Sequence, residues 1–149
     1  MNSVLYFAYG SNLNLRQMQS RCPGARTVGR AVLPNHALAF GGFSHAWGGA
    51  VASVLRSKGS QVQGLLYELD DVDLKSLDRF EGHPFAYERV IRLVQDDSGR
   101  RRRATTYIQP EDGFDAWTPA QEYFGVLWCA YSRLGFDFEP LAIAAGVSS

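Results

Sequence analysis

The run Val4-Leu5-Tyr6-Phe7-Ala8-Tyr9, closed by Gly10, constrains this chain more than any other segment. Its apolar and aromatic residues show no polar alternation. A strand here is therefore covered on both faces and lies inside a layered fold. Gly10-Ser11-Asn12 then turns the backbone, and residues 13–21 read as a helix that Pro23-Gly24 stops. Strand candidates follow at 30–40, 50–56 and 62–69, the first two separated by the glycine pairs Gly41-Gly42 and Gly48-Gly49. Asp70-Asp71 opens a helix over 72–81. Segments 85–95 and 102–108 flank Asp96-Asp97-Ser98-Gly99 as a hairpin.

The last helix carries the fullest set of boundary signals. Thr118 is the expected cap, Pro119 suits the first helical position, and Gln121 completes a Thr-x-x-Gln capping box. Phe124, Leu127, Trp128, Tyr131 and Leu134 recur at helical spacing, and Gly135 supplies the stop. The whole reads as six strands and three helices without regular β-α-β alternation. That order argues for the α+β class, with a mixed sheet able to curl into a small barrel.

Composition narrows the function classes. The 149 residues suit one domain, 1–149, and 46% hydrophobic content can fill its core. Fifteen basic side chains balance fifteen acidic ones, and a zero net charge disfavours a nucleic-acid partner. The run Arg100 to Arg103 does not change this, because strand alternation splits it between two faces. Cys22 and Cys129 stand far apart, and His36, His45 and His83 are scattered, so neither a disulfide framework nor a metal site is expected. No basic leader precedes an apolar stretch, and no apolar run nears the roughly 18 residues that cross a bilayer. The expectation is a cytoplasmic protein with no membrane partner.

Two places could hold chemistry. At Tyr9-Gly10-Ser11-Asn12 a glycine follows a buried strand and precedes a helix start, which lets backbone N–H groups cradle a carboxylate or a developing oxyanion. The competing explanation is an ordinary turn in which Ser11 or Asn12 caps the helix. The second place is Glu81. Leu74, Leu77 and Glu81 stand at i, i+3 and i+7, so the carboxylate continues the inward stripe. It also lies at the helix C-terminus, where the dipole disfavours negative charge; both effects raise its pKa toward that of a neutral-pH acid or base. The competing explanation is a solvated terminal residue, or one paired with Arg89 or Arg79. A Ser-His-Asp triad on Ser11 is compatible with residue order, although no histidine motif marks a base.

These residues resemble a known family. Tyr6-Phe7-Ala8-Tyr9-Gly10-Ser11-Asn12-Leu13 is similar to the amino-terminal signature of gamma-glutamylcyclotransferases, and Leu77-Asp78-Arg79-Phe80-Glu81-Gly82 followed by Tyr87 to their central acidic motif. Gly48-Gly49-Ala50-Val51-Ala52 and Thr118-Pro119 with Tyr123 fall in matching order. The resemblance implies a mixed, mostly antiparallel small β-barrel with flanking helices and a cofactor-free lyase acting on a small γ-glutamyl substrate. It implies that the substrate's α-amino group attacks its own γ-carbonyl carbon, releasing 5-oxoproline and an amine or amino acid. On this resemblance Glu81 is the general acid/base. Tyr6, Phe7, Ala8, Tyr9, Gly10 and Ser11 form the substrate loop, and Tyr87 and Tyr123 complete the site. Two departures stand out. Cys129-Ala130-Tyr131 replaces a common Gly-Ala pair, and His83-Pro84-Phe85 is similar to the gamma-glutamylamine branch, which leaves the departing group open. A serine-type amidohydrolase on Ser11 and a non-catalytic small-molecule-binding domain are the alternatives. Self-association as a homodimer is left open.

Overall fold

A computed structural model describes residues 3–146. Five strands close into a mixed barrel in the order β1-β3-β2-β4-β5. The central strand β1, Val4–Ala8, has Tyr6, Phe7 and Ala8 all buried. It is antiparallel to β3 and parallel to β5, where Tyr6 faces Thr105, and all other pairings are antiparallel. The α+β barrel expectation holds.

Among the described residues the strand count is five rather than six. β2 (Arg26–Ser44) and β3 (Gly49–Leu69) form one long hairpin. The break expected between 50–56 and 62–69 survives as a change of register: Pro34 faces Gln61, but His36 already faces Arg56. Residues 57–60 thus bulge opposite Asn35, which bends the hairpin without ending the strand. The arginine-rich hairpin forms as read, with β4 at Glu88–Asp96 and β5 at Arg101–Ile108. β4 starts later than position 85 because residues 82–87 are taken up by a turn that leaves Phe85 exposed.

The helices cover the barrel and mark its open end. The expected 13–21 helix is split. A 3-10 turn occupies Ser11–Leu13 without a side-chain cap, and α1 runs Leu15–Arg21. Asn14, not Ser11 or Asn12, caps α1 by accepting the Gln17 N–H at 2.9 Å. α2 (Asp71–Glu81) is capped by Asp70, which accepts the Asp73 N–H at 2.8 Å, and Asp71 and Asp73 occupy the favourable first turn. It stops at Gly82, whose φ of 68° lies in the left-handed region that glycine adopts without strain.

α3 spans Gln121–Leu134 and ends at Gly135 as expected, but the Thr118–Pro119–Gln121 start is wrong. Ala120 occupies the cap position without a side-chain bond, because tertiary pairing has claimed the preceding segment. Ala116 bridges Gly41, Pro119 bridges Ala50, and the Trp117 N–H bonds to the Phe40 carbonyl at 3.1 Å. The buried face carries Tyr123, Leu127, Ala130 and Tyr131, whereas Trp128 is half exposed. A short α4, Glu139–Ala144, escaped the sequence reading; it buries only Leu141. Among the described residues, no helix is long and apolar enough to cross a membrane.

Candidate active site

The end of β1, the 3-10 turn, the C-terminus of α2 and the β2–β3 hairpin tip surround a cavity of about 260 Å³. Glu81 reaches it because α2 turns a leucine-bearing face to the core, with Leu77 fully buried one turn before the carboxylate. Burial pushes the Glu81 carboxyl up to about 7, against the opposing pull of the Arg21 charge and a hydrogen bond from Asn12. The pairing with Arg89 that the competing explanation required does not form. That guanidinium bonds Asp78 at 2.6 Å, and Asp78 also accepts the Tyr107 hydroxyl at 2.7 Å. Arg79 lines the same cavity and makes no salt bridge among the described residues.

Asn12 holds the carboxylate in place. Its Nδ2 donates to Glu81 Oε1 at 3.2 Å and to the Tyr6 hydroxyl at 2.9 Å. Its Oδ1 accepts from Gln17 Nε2 and Arg21 Nη1, both at 3.1 Å. The amide is thus fixed at both ends and nearly fully buried. The sequence reading treated Asn12 as a possible cap and left Arg21 aside. The available signal was an amide directly after Gly10-Ser11, but its partners come from α1 and α2 and only the fold brings them together.

Five tyrosines complete the wall. Tyr6, Tyr9, Tyr87, Tyr107 and Tyr123 all line the cavity, and burial raises every one of these phenols, with the Glu81 charge adding to the rise. Their hydroxyls therefore remain protonated donors near neutrality. Tyr9 and Tyr87 spend their protons on the Tyr107 and Ala52 carbonyls, each at 2.5 Å. Tyr123 differs: its oxygen accepts the Ala52 N–H at 2.9 Å. With its oxygen engaged as an acceptor, its own proton is free for a bound molecule. Gly10 packs beneath it, where an added Cβ would sit 3.1 Å from the Tyr123 hydroxyl oxygen. We expect Tyr123→Phe to cost about 1–3 kcal/mol in urea denaturation, because the buried Ala52 N–H loses its acceptor. Unchanged stability would contradict that pairing.

Of the expected site residues, Glu81, Tyr6, Tyr9, Gly10, Ser11, Tyr87 and Tyr123 come together around this cavity. Phe7 and Ala8 do not border it. Both lie in the core: alternation along β1 turns Phe7 away from the Tyr6 face, beside Gly64, and Ala8 is itself buried. Ser11 Oγ accepts from Gln17 Nε2 at 2.7 Å, and no histidine borders the cavity. A Ser-His pair on Ser11 is not assembled. Among the described residues, no cluster of three or more His, Cys, Asp or Glu is placed to hold a metal ion. Cys22 is buried and its thiol is pushed up to about 12, chiefly by that burial, whereas Cys129 is exposed.

A barrel mouth with one carboxyl that exchanges its proton near neutrality and several fixed hydroxyls defines a small-molecule pocket suited to acid–base chemistry. The family model for gamma-glutamyl cyclotransferases, AIG2-like, matches residues 6–124. Human gamma-glutamylcyclotransferase is 29% identical over 142 residues, covering 92% of this chain and 74% of the human protein. The bovine gamma-glutamylcyclotransferase is 38% identical over the same shares. A solved gamma-glutamyl cyclotransferase structure superposes with a TM-score of 0.88 at 26% identity, covering 99% of this chain and 89% of that one. The chain belongs to the gamma-glutamyl cyclotransferase, AIG2-like family, and it is an enzyme of the cyclotransferase type.

Proposed function

We propose that this enzyme cyclises the γ-glutamyl part of a small substrate to 5-oxoproline in the Glu81 cavity, with Glu81 as the general acid/base. The observation that carries the reading is the carboxyl held near pKa 7 beside the Gly10–Ser11 turn. The ionised carboxylate takes a proton from the substrate's α-ammonium. The freed amine attacks the γ-carbonyl carbon, forming the ring C–N bond. The amide C–N bond then breaks as Glu81 returns the proton to the leaving nitrogen, and the second proton shed by the ring nitrogen passes to the departing amine, which leaves as its ammonium. The reaction requires no covalent nucleophile.

Ring closure is intramolecular, so most of the work is holding a reactive conformer, which can lower a barrier by about 7–11 kcal/mol. Arg21 and Arg79 border the cavity and suit the α-carboxylate of the γ-glutamyl group. The free Tyr123 hydroxyl suits the oxyanion that develops on the γ-carbonyl oxygen. Tyr6, Tyr9, Gly10, Ser11 and Tyr87 shape the remaining wall, and Phe7 and Ala8 act from behind it by fixing β1. We take residues 1–149 as one domain, working in the cytoplasm, where the exposed Cys129 thiol stays reduced.

The test is the product. Incubation with γ-glutamyl dipeptides and γ-glutamylamines should release 5-oxoproline by mass spectrometry, and the accepted set identifies the leaving group. Ser11→Ala should weaken this release by roughly tenfold or less, since Ser11 has no base to make it a nucleophile. Free glutamate as the product, abolished in Ser11→Ala, would overturn the cyclisation in favour of hydrolysis by water.

A further inference from the structure

A second cavity, of about 720 Å³, opens in the barrel wall and shares no lining residue with the first. It sits where the seam between β2 and β4 gives out. That seam holds only two residue pairs, Ala31 with Asp96 and Val32 with Gln95. Continuing the register would set Leu33, Pro34 and Asn35 against Val94, Leu93 and Arg92. Pro34 has no N–H for the ladder, and Asn35 adopts a φ of 60°, so β2 turns away and the wall parts. The gap follows from the sequence of β2.

What lines the gap is unusual for a chain without net charge. Arg56, Lys58, Arg92 and Arg101 all border it, and no acidic residue does. None of the four makes a salt bridge among the described residues, although Arg26, Arg30, Arg89 and Arg102 elsewhere each do. Two side chains of the lining also carry a buried nitrogen without a partner, His36 Nε2 and Arg92 Nε. His36 is 6% exposed, and its Nδ1 donates to the Pro34 carbonyl at 2.9 Å. That bond assigns the Nδ1 proton, so Nε2 accepts when the ring is neutral and donates when it is charged.

We infer that this gap is a binding site for a small phosphate-bearing anion, held by Arg56, Lys58, Arg92 and Arg101 over His36. Phosphate near neutrality offers acceptor oxygens to the cations and an exchangeable O–H, so it satisfies Nε2 in either state of the ring. Arg92 lines the same gap as His36, its Nη1 bonding the Ile91 carbonyl at 3.1 Å while its Nε has no partner. The cations ring a concavity, which fits a soluble phosphate ester rather than a bilayer surface. A bound anion would bridge β2, β3, β4 and β5 beside the two-pair seam between β2 and β4, so binding and stability are coupled.

The experiment is calorimetric titration with inorganic phosphate against chloride at matched ionic strength. It is run on the wild-type chain, Arg92→Gln and the exposed pair Arg56→Gln/Lys58→Gln. The expected result is one saturable phosphate site per chain, weakened at least tenfold by either variant, with the His36 Nε2 nitrogen resonance moved by phosphate in the wild type. The pair variant, at exposed positions, keeps the test decisive if Arg92→Gln does not fold. Equal response to chloride, unchanged affinity in the variants, or binding lost instead in Arg79→Gln would overturn the site. Capture by phosphatidic-acid vesicles without saturable phosphate binding would also overturn it.

Discussion

Glu81→Gln is expected to lower kcat for 5-oxoproline release by about 10²–10⁴-fold while leaving the fold and substrate affinity close to wild type. Glutamine keeps the shape of the side chain and can still accept the Asn12 Nδ2–H, now 3.2 Å from Oε1. It cannot take a proton from the α-ammonium or return one to the leaving nitrogen. KM should therefore move little, and calorimetric affinity for a non-cleaved γ-glutamyl analogue should be retained. A variant with near-normal kcat would remove Glu81 from the chemistry. A variant that loses affinity and kcat together would make it a binding residue instead.

The same substitution should stabilise the protein at alkaline pH. Burial holds the Glu81 carboxyl near 7 in the folded chain, against 4.5 for an ordinary glutamate. Between those values the folded chain binds a proton that the unfolded chain has released, so stability falls as pH rises through that window. The stabilisation from the neutral carboxyl is complete below pH 4.5 and gone above pH 7. The two pKa values set its full size at about 3 kcal/mol, and the carboxyl's partial access to solvent through the cavity makes about 1–3 kcal/mol the expected range. Glutamine is neutral throughout. Urea denaturation should thus show the variant matching wild type near pH 4 and exceeding it at pH 8. A wild-type protein as stable as the variant at pH 8 would mean an ordinary carboxylate.

An enzyme that ionises a buried acid at working pH gives up stability at its own site, a trade common where catalysis needs a tuned group. Here the cost is contained by the network around Asn12. That amide presents its two N–H groups to Glu81 and Tyr6, while Gln17 and Arg21 occupy its oxygen.

The legible parts of this molecule were those written in local periodicity. Leu74, Leu77 and Glu81 mark one face of α2 whatever surrounds them, and burial of that face raises the carboxyl as the spacing implied. The unalternated run of β1 placed it in the core, and Asp96-Asp97-Ser98-Gly99 placed the β4–β5 hairpin. What escaped depends on distant partners. Pro119 at a helix start is a sound local signal, yet Ala50 captured it as a strand partner. The bulge at 57–60 resembled a strand end because only the register against Asn35 keeps β3 continuous. Asn12 looked like a cap because its bonds to Glu81 and Arg21 exist only after α1 and α2 pack together.

The most direct test of the central claim is the pH dependence of kcat/KM for 5-oxoproline release, compared between wild type and Glu81→Gln. The account predicts a wild-type rate that climbs to pH about 7 and then levels, following ionisation of the free enzyme's carboxyl, with that limb absent from the variant's residual rate. A wild-type limb near 4.5, or a limb at 7 that persists in Glu81→Gln, would contradict it.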